Sequence, residues 1–393
     1  MNLDKIQASL HSQNLDGWLF YDFHGRDQLA YRILGLGNPH SSRRWYYFIP
    51  TQGIPHKIVS PIEPHILDSL PGETHVVLKW QELHAILKSI ISKHHRIAMH
   101  YSPMGDVPYV SVVDGGTLEL IRSFGVNVMS AQELIQEFEG LVPFELFESH
   151  QNASPIMDEI TKTAFDEIGR RIRNKEKVSE FDIHRFIQKK YREHNLITDS
   201  GPIVAVNEHA ADPHYLPSKV SSSIVNRGDL ILIDSWAKFK DPDSIYVDIT
   251  QMAYVGYEIP HRIQEIWEIV KAARDIAIKF ECEKIESHEL CHGWEVDQIA
   301  RKYIEQKGFG KYFNHRLGHS IGRETHGNAV NIDSLETKDT RHLCPLILHS
   351  IEPGIYMPEE KFGIRSEVNV YITQDRKVIV TGPKQEEIYK ITI

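Results

Sequence analysis

The stretch HRLGHSIGRETH, from His315 to His326, carries three histidines and two glycines. The glycines, Gly318 and Gly322, disfavour a helix and favour an extended strand and turn whose backbone can lie close to a ligand. Imidazole is the commonest metal ligand among side chains and the usual proton carrier near neutral pH. Because the chain has 23 histidines, this cluster is ambiguous by itself. Its meaning depends on the acidic residues placed on either side of it.

Four acidic residues lie in apolar, strand-like runs of the second half of the chain. They are Asp234 in LILIDSW, Asp248 in YVDITQMAYV, Glu352 in LILHSIEPGIY and Glu367 in GIRSEVNVYIT. The turn-forming segment AKFKDPDSI separates the first two runs and predicts a hairpin with both aspartates on its inner face. Burying an ionised acid without a partner costs several kcal/mol, so such acids pair with cations or stay protonated. Arg365 alone cannot balance them, whereas two divalent cations can, and mixed carboxylate and imidazole ligation is typical of hydrolytic two-metal sites.

The composition is that of an ordinary globular protein. At 393 residues the chain is long enough for two domains, with 41% hydrophobic and 25% charged residues. A net charge of -10 gives no basic field for nucleic acid. No signal peptide and no run of about 18 apolar residues is present, which argues against a membrane partner. Three cysteines without CxxC spacing favour reduced thiols and a cytoplasmic location.

The two parts of the chain differ in pattern. The first part alternates strand-like and helix-like runs, which predicts an α/β domain. Its predicted strands are GWLFYD (17–22), WYYFIP (45–50), HVVLKW (75–80) and RIAMHY (96–101). The polar stretch SHQNASP then predicts a junction, which gives domains of residues 1–152 and 153–393. The second part combines amphipathic helices with strands and predicts an α+β domain, with helices packed on a largely antiparallel sheet.

In chain order, these motifs resemble those of metallopeptidase family M24, in its branch of prolidases and Xaa-Pro aminopeptidases P. That family has five metal ligands in the order Asp, Asp, His, Glu, Glu. The matching positions here are Asp234, Asp248, His319 (in GHSIG), Glu352 (in IEPGIY) and Glu367 (in GIRSE). The resemblance implies a creatinase-like α/β N-terminal domain, followed by an α+β catalytic domain with the pita-bread fold.

The resemblance also implies roles for these residues and their neighbours. Asp248 and Glu367 bridge two divalent metal ions, with manganese as the first expectation and cobalt or zinc as alternatives. Glu352 accepts the proton of a water held between the metals and passes it to the leaving nitrogen. The other implied residues are His326 and His214 (in ADPHYLP), which steady the substrate carbonyl, and His315, Arg365 and Tyr356, which support the ligands or line the pocket.

The implied activity is hydrolysis of the peptide bond before proline by a metal-bridged hydroxide, as an Xaa-Pro dipeptidase or an Xaa-Pro aminopeptidase. The implied substrate is a small peptide with proline in second position, and the implied assembly is a homodimer. One alternative is another pita-bread hydrolase, either creatinase-like or organophosphate-hydrolysing. The other is a non-catalytic module that binds peptides or proteins. The complete ligand set argues against both, because creatinase works without metal and the binding relatives lose ligands.

Four features depart from the family pattern, and two of them are Gln251, where arginine is usual, and Gly327, where an acid is usual. The other two lie in and after the first strand. Trp236 stands two residues after the first aspartate, where the family usually has glycine. The two aspartates are fourteen residues apart, where a shorter gap is common, so KFKDPDS resembles a small loop insertion. None of these departures replaces a metal ligand. They leave open which prolyl substrate is preferred.

Overall fold

The computed structural model describes residues 1–37 and 39–393, which form two compact units, Met1–Glu139 and Gly140–Ile393. The first unit contains one six-stranded mixed sheet in the order β4-β3-β2-β1-β5-β6. Its strands are β1 (Gly17–Asp22), β2 (Trp45–Pro50), β3 (His56–Val59), β4 (Glu73–Val76), β5 (Arg96–Met99) and β6 (Asn127–Ser130). Its helices are α1 (Leu3–Ser12), α2 (Gln28–Leu34), α3 (Trp80–Ile91), α4 (Gly115–Ser123) and α5 (Gln132–Ile135).

Both faces of this sheet are covered, which explains the continuous apolar runs of its central strands. Trp18 and Phe20 of β1 point into one apolar cluster, and Leu19 and Tyr21 point into another. Strands buried on both faces read as unbroken apolar runs because alternate side chains enter different cores. The predicted strand over residues 75–80 is wrong in its second half. Strand β4 ends at Val76 and α3 begins at Trp80, because this edge strand is mostly exposed and has no second core to enter.

The second unit consists of helices packed on a mainly antiparallel sheet. Its helices are α6 (Phe144–Arg173), α7 (Glu180–Glu193), α8 (His261–Glu286) and α9 (Gly293–Gln306). Its strands are β7 (Leu196–Ile197), β8 (Ile203–Val206), β9 (Leu230–Phe239), β10 (Val247–Val255), β11 (Leu348–Ile351), β12 (Gly354–Met357), β13 (Phe362–Arg365), β14 (Val368–Ile372), β15 (Val378–Thr381) and β16 (Tyr389–Ile391). The principal sheet has the order β16-β10-β9-β7, with β8 also paired to β9, and β11-β14-β15 and β12-β13 form two smaller sheets.

The hairpin of β9 and β10 lies between two apolar cores. Ile231 and Ile233 point toward α6 and α7, whereas Leu230 and Leu232 point into the cluster that contains α8 and α9. The even-numbered residues of β9 therefore share the α8–α9 face of the sheet. No helix among residues 1–37 and 39–393 has both the length and the hydropathy needed to cross a bilayer.

The polar stretch SHQNASP is part of helix α6 and does not form a loop. Gln151 and Asn152 lie on the exposed side of this helix, while Ala153 and Ser154 are buried. The predicted boundary after residue 152 thus falls inside a continuous helix, thirteen residues after the division between the two units. Polar residues on the outer face of an amphipathic helix produced the composition that the sequence analysis interpreted as a junction.

A buried histidine in the same helix, His150, is held in its neutral form. The Nδ1 of His150 lies 2.7 Å from the carbonyl oxygen of Tyr246, and its Nε2 lies 2.6 Å from the hydroxyl of Thr381. Burial of the imidazole lowers the pKa of His150 to about 4. The neutral ring satisfies both contacts, with Nδ1–H donating to the carbonyl and Nε2 accepting from the hydroxyl.

We expect His150 to make the protein sensitive to acid. Because its pKa is lower in the folded chain than in the unfolded chain, the stability it provides is complete above pH 6.5 and is lost as the pH falls toward 4. The loss should reach about 3 kcal/mol. Urea unfolding at pH 7 and pH 4 should show a smaller acid-induced loss in His150→Gln than in the wild type. Equal losses in the two proteins would contradict this assignment.

Candidate metal centre

The hairpin register places the two predicted aspartate ligands side by side. Asp234 is opposite Thr250, and Asp248 is opposite Trp236, so both carboxylates project from the same face of β9 and β10. Asn369 fixes the backbone at Asp248 by accepting from its N–H at 3.1 Å and donating to its carbonyl at 2.6 Å. The predicted hairpin, with both aspartates on one face, is confirmed.

The two glutamates lie at breaks between consecutive strands, and the two breaks are opposite each other. Glu352 lies between β11 and β12, and Glu367 lies between β13 and β14. Because β11 pairs with β14 and β12 pairs with β13, these two interruptions face each other. The sequence analysis placed Glu367 inside a strand, and the structure places it just before one. An interrupted ladder lets each glutamate side chain turn inward without a cross-strand neighbour.

His319 reaches the site from an extended segment held by isolated bridges. Gly318 pairs with Ile332, and Ser320 pairs with His349. A Cβ at Gly318 would lie 2.0 Å from the carbonyl oxygen of Ser350, so glycine is required there by close approach of two backbones. The Nε2 of His319 lies 3.5 Å from Asp248 Oδ2 and 3.4 Å from Glu352 Oε1.

The five predicted ligands form a buried anionic group suited to divalent cations. The ligand atoms of Asp248, His319 and Glu367 lie within 4.8 Å of one another. Two buried carboxylate oxygens, Asp234 Oδ1 and Glu367 Oε1, have no hydrogen-bond partner within residues 1–37 and 39–393. Buried acceptors are otherwise nearly always satisfied, so these oxygens fit direct coordination. Oxygen-rich ligation with one imidazole suits manganese, cobalt or zinc.

Burial also shifts the protonation of these groups. It raises the pKa of Asp234 and of Asp248 to about 7, and it raises the pKa of Glu352 and Glu367. It lowers the pKa of His319 to about 4, which leaves the imidazole neutral and able to ligate. Carboxylates in such surroundings gain most from a bound cation, because the cation replaces the solvation that burial removes.

Arg365 supplies a buried positive charge at the site. Its guanidinium forms an ion pair with Asp234 and donates to the hydroxyls of Thr250 at 2.9 Å and Tyr356 at 3.1 Å. The Tyr356 hydroxyl also lies 2.9 Å from His315 Nε2. His315, Tyr356 and Arg365 therefore form one chain of hydrogen bonds that ends at a predicted ligand. The three histidines of HRLGHSIGRETH do not all converge, because His315 turns toward Tyr356.

The other two predicted histidines are exposed beside the ligands. The rings of His326 and His319 meet edge to face, with centroids 4.4 Å apart. His214 lies near Asp234 and His326 in space. Exposed imidazoles beside a buried anionic cluster are placed to contact a substrate.

Glu180 holds the segment that carries His214, and the sequence analysis missed it. This buried carboxylate accepts from the N–H of Val206 at 2.7 Å, from the hydroxyl of Tyr215 at 2.7 Å and from the N–H of Ser223 at 2.7 Å. It also contacts His209 Nδ1 at 2.9 Å. Its position at the start of α7 offered only a helix-capping signal, because its partners are distant in sequence.

We expect Glu180→Ala to lower the free energy of unfolding by about 2–4 kcal/mol, since it leaves several buried donors without an acceptor. Loss of the anchor should also displace the segment around His214 and raise the KM for the peptide substrate that the family resemblance implies. Urea unfolding and steady-state kinetics measure the two effects. Glu193→Ala, at the exposed end of the same helix, is the matched control. Wild-type stability in Glu180→Ala would rule out the anchoring role.

Ser350 and Thr250 were also missed. The hydroxyl of Ser350 accepts from the His319 N–H at 3.0 Å and donates to Glu352 Oε1 at 2.9 Å. Thr250 donates to Glu367 Oε2 at 2.8 Å. The Ser350 hydroxyl therefore joins two predicted ligands, whereas the Thr250 hydroxyl joins Glu367 to Arg365. The alternation of β10 could have indicated Thr250, because it shares a face with Asp248.

Comparisons with known proteins agree with this geometry. The model of metallopeptidase family M24 matches residues 156–374, which is more than half of the chain. An Xaa-Pro dipeptidase from Pyrococcus horikoshii is 35% identical over 187 residues, which are 47% of this chain and 48% of the relative. An Xaa-Pro dipeptidase from Pyrococcus furiosus is 30% identical over 255 residues, which are 65% of this chain and 66% of the relative. This chain thus spans about half to two thirds of the length of these two relatives.

The solved structures show the fold of the whole chain. The dipeptidase PepE from Mycobacterium ulcerans aligns over 100% of this chain and 97% of its own, with a TM-score of 0.74 and 18% identity. The predicted fold class is confirmed, with a creatinase-like α/β N-terminal domain and an α+β pita-bread catalytic domain. From the family match, the relatives and the fold together, this protein is a metallopeptidase of family M24, in the branch of the prolidases and aminopeptidases P.

Proposed function

We propose that this protein hydrolyses the peptide bond before proline in small peptides, with two divalent cations as cofactors. The observation that carries the proposal is that the ligand atoms of Asp248, His319 and Glu367 lie within 4.8 Å of one another, with Glu352 Oε1 3.4 Å from His319 Nε2. In the described part of the chain, Asp234 Oδ1 and Glu367 Oε1 also have no hydrogen-bond partner. The relatives named as Xaa-Pro dipeptidases support the choice of a prolyl substrate. The family resemblance also supports manganese as the metal and a homodimer as the assembly.

The five ligands would divide between the two cations. Asp234, Asp248, Glu352 and Glu367 would supply carboxylate oxygens to them, and His319 would supply an imidazole nitrogen. When bound, such cations supply Lewis acidity, which polarises the scissile carbonyl and lowers the pKa of the attacking water. Arg365 would keep Asp234 oriented through their ion pair.

Glu352 is the proposed general base. Its raised pKa favours proton uptake, and the donation from Ser350 to Oε1 fixes its orientation. We assign to it the transfer of a proton from the attacking water to the proline nitrogen as the peptide bond breaks. A leaving amine must be protonated, so this transfer is needed before the products separate.

His326 and His214 are the proposed donors to the substrate. Both are exposed beside the ligands, and neither is a ligand in the proposed set. Each imidazole N–H would donate to the substrate carbonyl oxygen as negative charge develops there. A bound peptide would cover both imidazoles and exclude water from them. The lower local dielectric would then strengthen these hydrogen bonds.

The test is hydrolysis of Ala-Pro and of Ala-Pro-Ala-Ala by metal-stripped protein, with and without added Mn²⁺. Cleavage of the dipeptide alone would establish a dipeptidase, and cleavage of the longer peptide an aminopeptidase. In either case Ala-Ala should be a poor substrate. If neither prolyl peptide is cleaved with manganese, cobalt or zinc, the proposed function is wrong.

A further inference from the structure

A second group of potential metal ligands lies in the first unit, at the β3–β4 edge of its sheet. His56 begins β3, while Glu73 and His75 lie in β4. In the parallel ladder His56 is opposite Glu73, and Ile58 is opposite His75. All three ligand side chains therefore project from one face of the sheet, in positions that the backbone fixes.

The distances among the three side chains match those of a zinc site. His56 Nδ1 lies 3.3 Å from His75 Nε2 and 3.7 Å from Glu73 Oε2. All three ligand atoms lie within 4.8 Å of one another. Tetrahedral zinc with bonds of about 2.0–2.1 Å separates its ligand atoms by roughly 3.4 Å. A hydrogen bond between the two imidazoles alone would not explain why the Glu73 carboxylate also lies beside them.

We propose that His56, Glu73 and His75 bind a divalent transition metal, with zinc as the metal that best suits two imidazoles and one carboxylate. Burial, and then the charges of His75 and Lys93, lower the pKa of His56, so its ring is neutral and available at neutral pH. The half-buried imidazoles and the exposed carboxylate leave one coordination position for water. Bound zinc would link the edge strand β4 to β3 and stabilise the first unit.

Zinc content after equilibrium dialysis at micromolar free Zn²⁺ tests this site. His75→Ala and Glu73→Gln should each bind one equivalent less than the wild type, and zinc should raise the Tm of the wild type more than that of either variant. His65→Ala, an exposed histidine of the same unit, is the matched control. Asp248→Asn, altered in the other centre, should keep this equivalent. If His75→Ala and Glu73→Gln bind as much zinc as the wild type, the site does not exist.

A different observation concerns Trp236, which stands where the family usually has glycine. The register places it opposite Asp248, on the face that carries the predicted ligands. Its indole N–H donates to Asp199 at 2.7 Å. The ring lies against Gly201, where a Cβ would come within 2.7 Å of it. Glycine at position 201 thus makes room for the tryptophan.

Asp199 lies in a turn that is held in place by hydrogen bonds. The turn that carries it is anchored by Gly201 N–H donating to the Thr198 hydroxyl at 3.3 Å and by His184 Nδ1 contacting the Pro202 carbonyl at 2.7 Å. Asp199 is exposed and forms no ion pair within the described part of the chain. Asp199 lies near Asp248 and His326 in space.

We infer that Trp236 and Asp199 form a subsite for a basic side chain, so that peptides with lysine or arginine before proline are preferred. This inference rests on the proposed function. An aromatic face beside a carboxylate is suited to a cationic side chain. The carboxylate of Asp199 meets the indole N–H, at the outer end of the Trp236 side chain. The long side chains of lysine and arginine can extend along this ring to the carboxylate, whereas the α-ammonium group of the substrate is too short to do so.

The test compares Lys-Pro with norleucyl-proline, which has a similar chain length without the charge. The wild type should show a several-fold higher kcat/KM for Lys-Pro, and this ratio should fall toward one in Asp199→Asn and decrease in Trp236→Phe. Asp375→Asn, in an exposed turn, should keep the wild-type ratio. A wild-type ratio near one, or a ratio that Asp199→Asn leaves unchanged, would overturn the inference.

Calorimetric binding to Glu352→Gln separates this inference from the proposed function, because cleavage is arrested there. Lys-Pro should bind more tightly than norleucyl-proline, and addition of Asp199→Asn should remove the difference. If the wild type cleaves neither peptide yet this difference is seen, the subsite stands and the proposed function fails. Equal binding of both peptides to Glu352→Gln would reject the subsite even if both are cleaved by the wild type.

Discussion

Asp248→Asn should lower kcat/KM for Ala-Pro by about a thousandfold or more while making the metal-free protein more stable. The carboxylate would contact both cations, and an amide cannot replace its charge, so a loss of at least 4 kcal/mol of transition-state stabilisation is expected. In the absence of metal, the same buried carboxylate lowers the stability of the folded protein. Burial raises its pKa from 3.8 to about 7, so its ionisation destabilises the fold.

The sign of the stability change follows from this shift. A carboxyl group with a raised pKa binds more protons in the folded chain than in the unfolded chain, so stability falls as the pH rises from 3.8 toward 7. Asparagine does not titrate. The substitution should therefore remove part of this pH-dependent loss of stability, by a few kcal/mol. Thermal unfolding in EDTA at pH 5 and pH 7.5 measures it. Asp241→Asn, in the loop of the same hairpin, should match the wild type in both activity and stability.

Arg365→Ala should destabilise the metal-free protein by about 3–5 kcal/mol and greatly reduce activity. The guanidinium is buried and pairs with Asp234, and removing one member of a buried ion pair leaves an uncompensated charge. The substitution also leaves the hydroxyls of Thr250 and Tyr356 without their donor. Part of the lost stability should return with Mn²⁺, because a bound cation would neutralise Asp234.

Urea unfolding with and without Mn²⁺ tests this coupling. Arg365→Lys keeps a positive charge but cannot reach Asp234, Thr250 and Tyr356 together, so its effect should be intermediate. A stability loss in Arg365→Ala that is the same with and without metal would show that the guanidinium supports packing alone.

Four of the five proposed ligands leave a local trace in the sequence. Asp234 and Asp248 interrupt apolar strands, and Glu352 and Glu367 follow or precede such strands. A carboxylate in an apolar run is expensive to bury, which identifies it before any fold is known. The central strands of the first unit could also be predicted, because a sheet covered on both faces has strands with unbroken apolar runs.

The residues that could not be predicted act through partners distant in the chain. Glu180 accepts from Val206, Tyr215 and Ser223, and nothing near Glu180 itself signals those contacts. Ser350 joins His319 to Glu352 only after two distant segments have met. The junction assigned to SHQNASP failed for a related reason, since composition does not reveal which side of a helix faces solvent.

The most direct test is anomalous diffraction from crystals of the wild type grown with Mn²⁺. We expect two peaks of anomalous density enclosed by Asp234, Asp248, His319, Glu352 and Glu367, and one peak or none in Asp248→Asn. If the wild type shows no peak among these five residues, while Mn²⁺ is bound elsewhere or not at all, they do not form the metal centre of this peptidase.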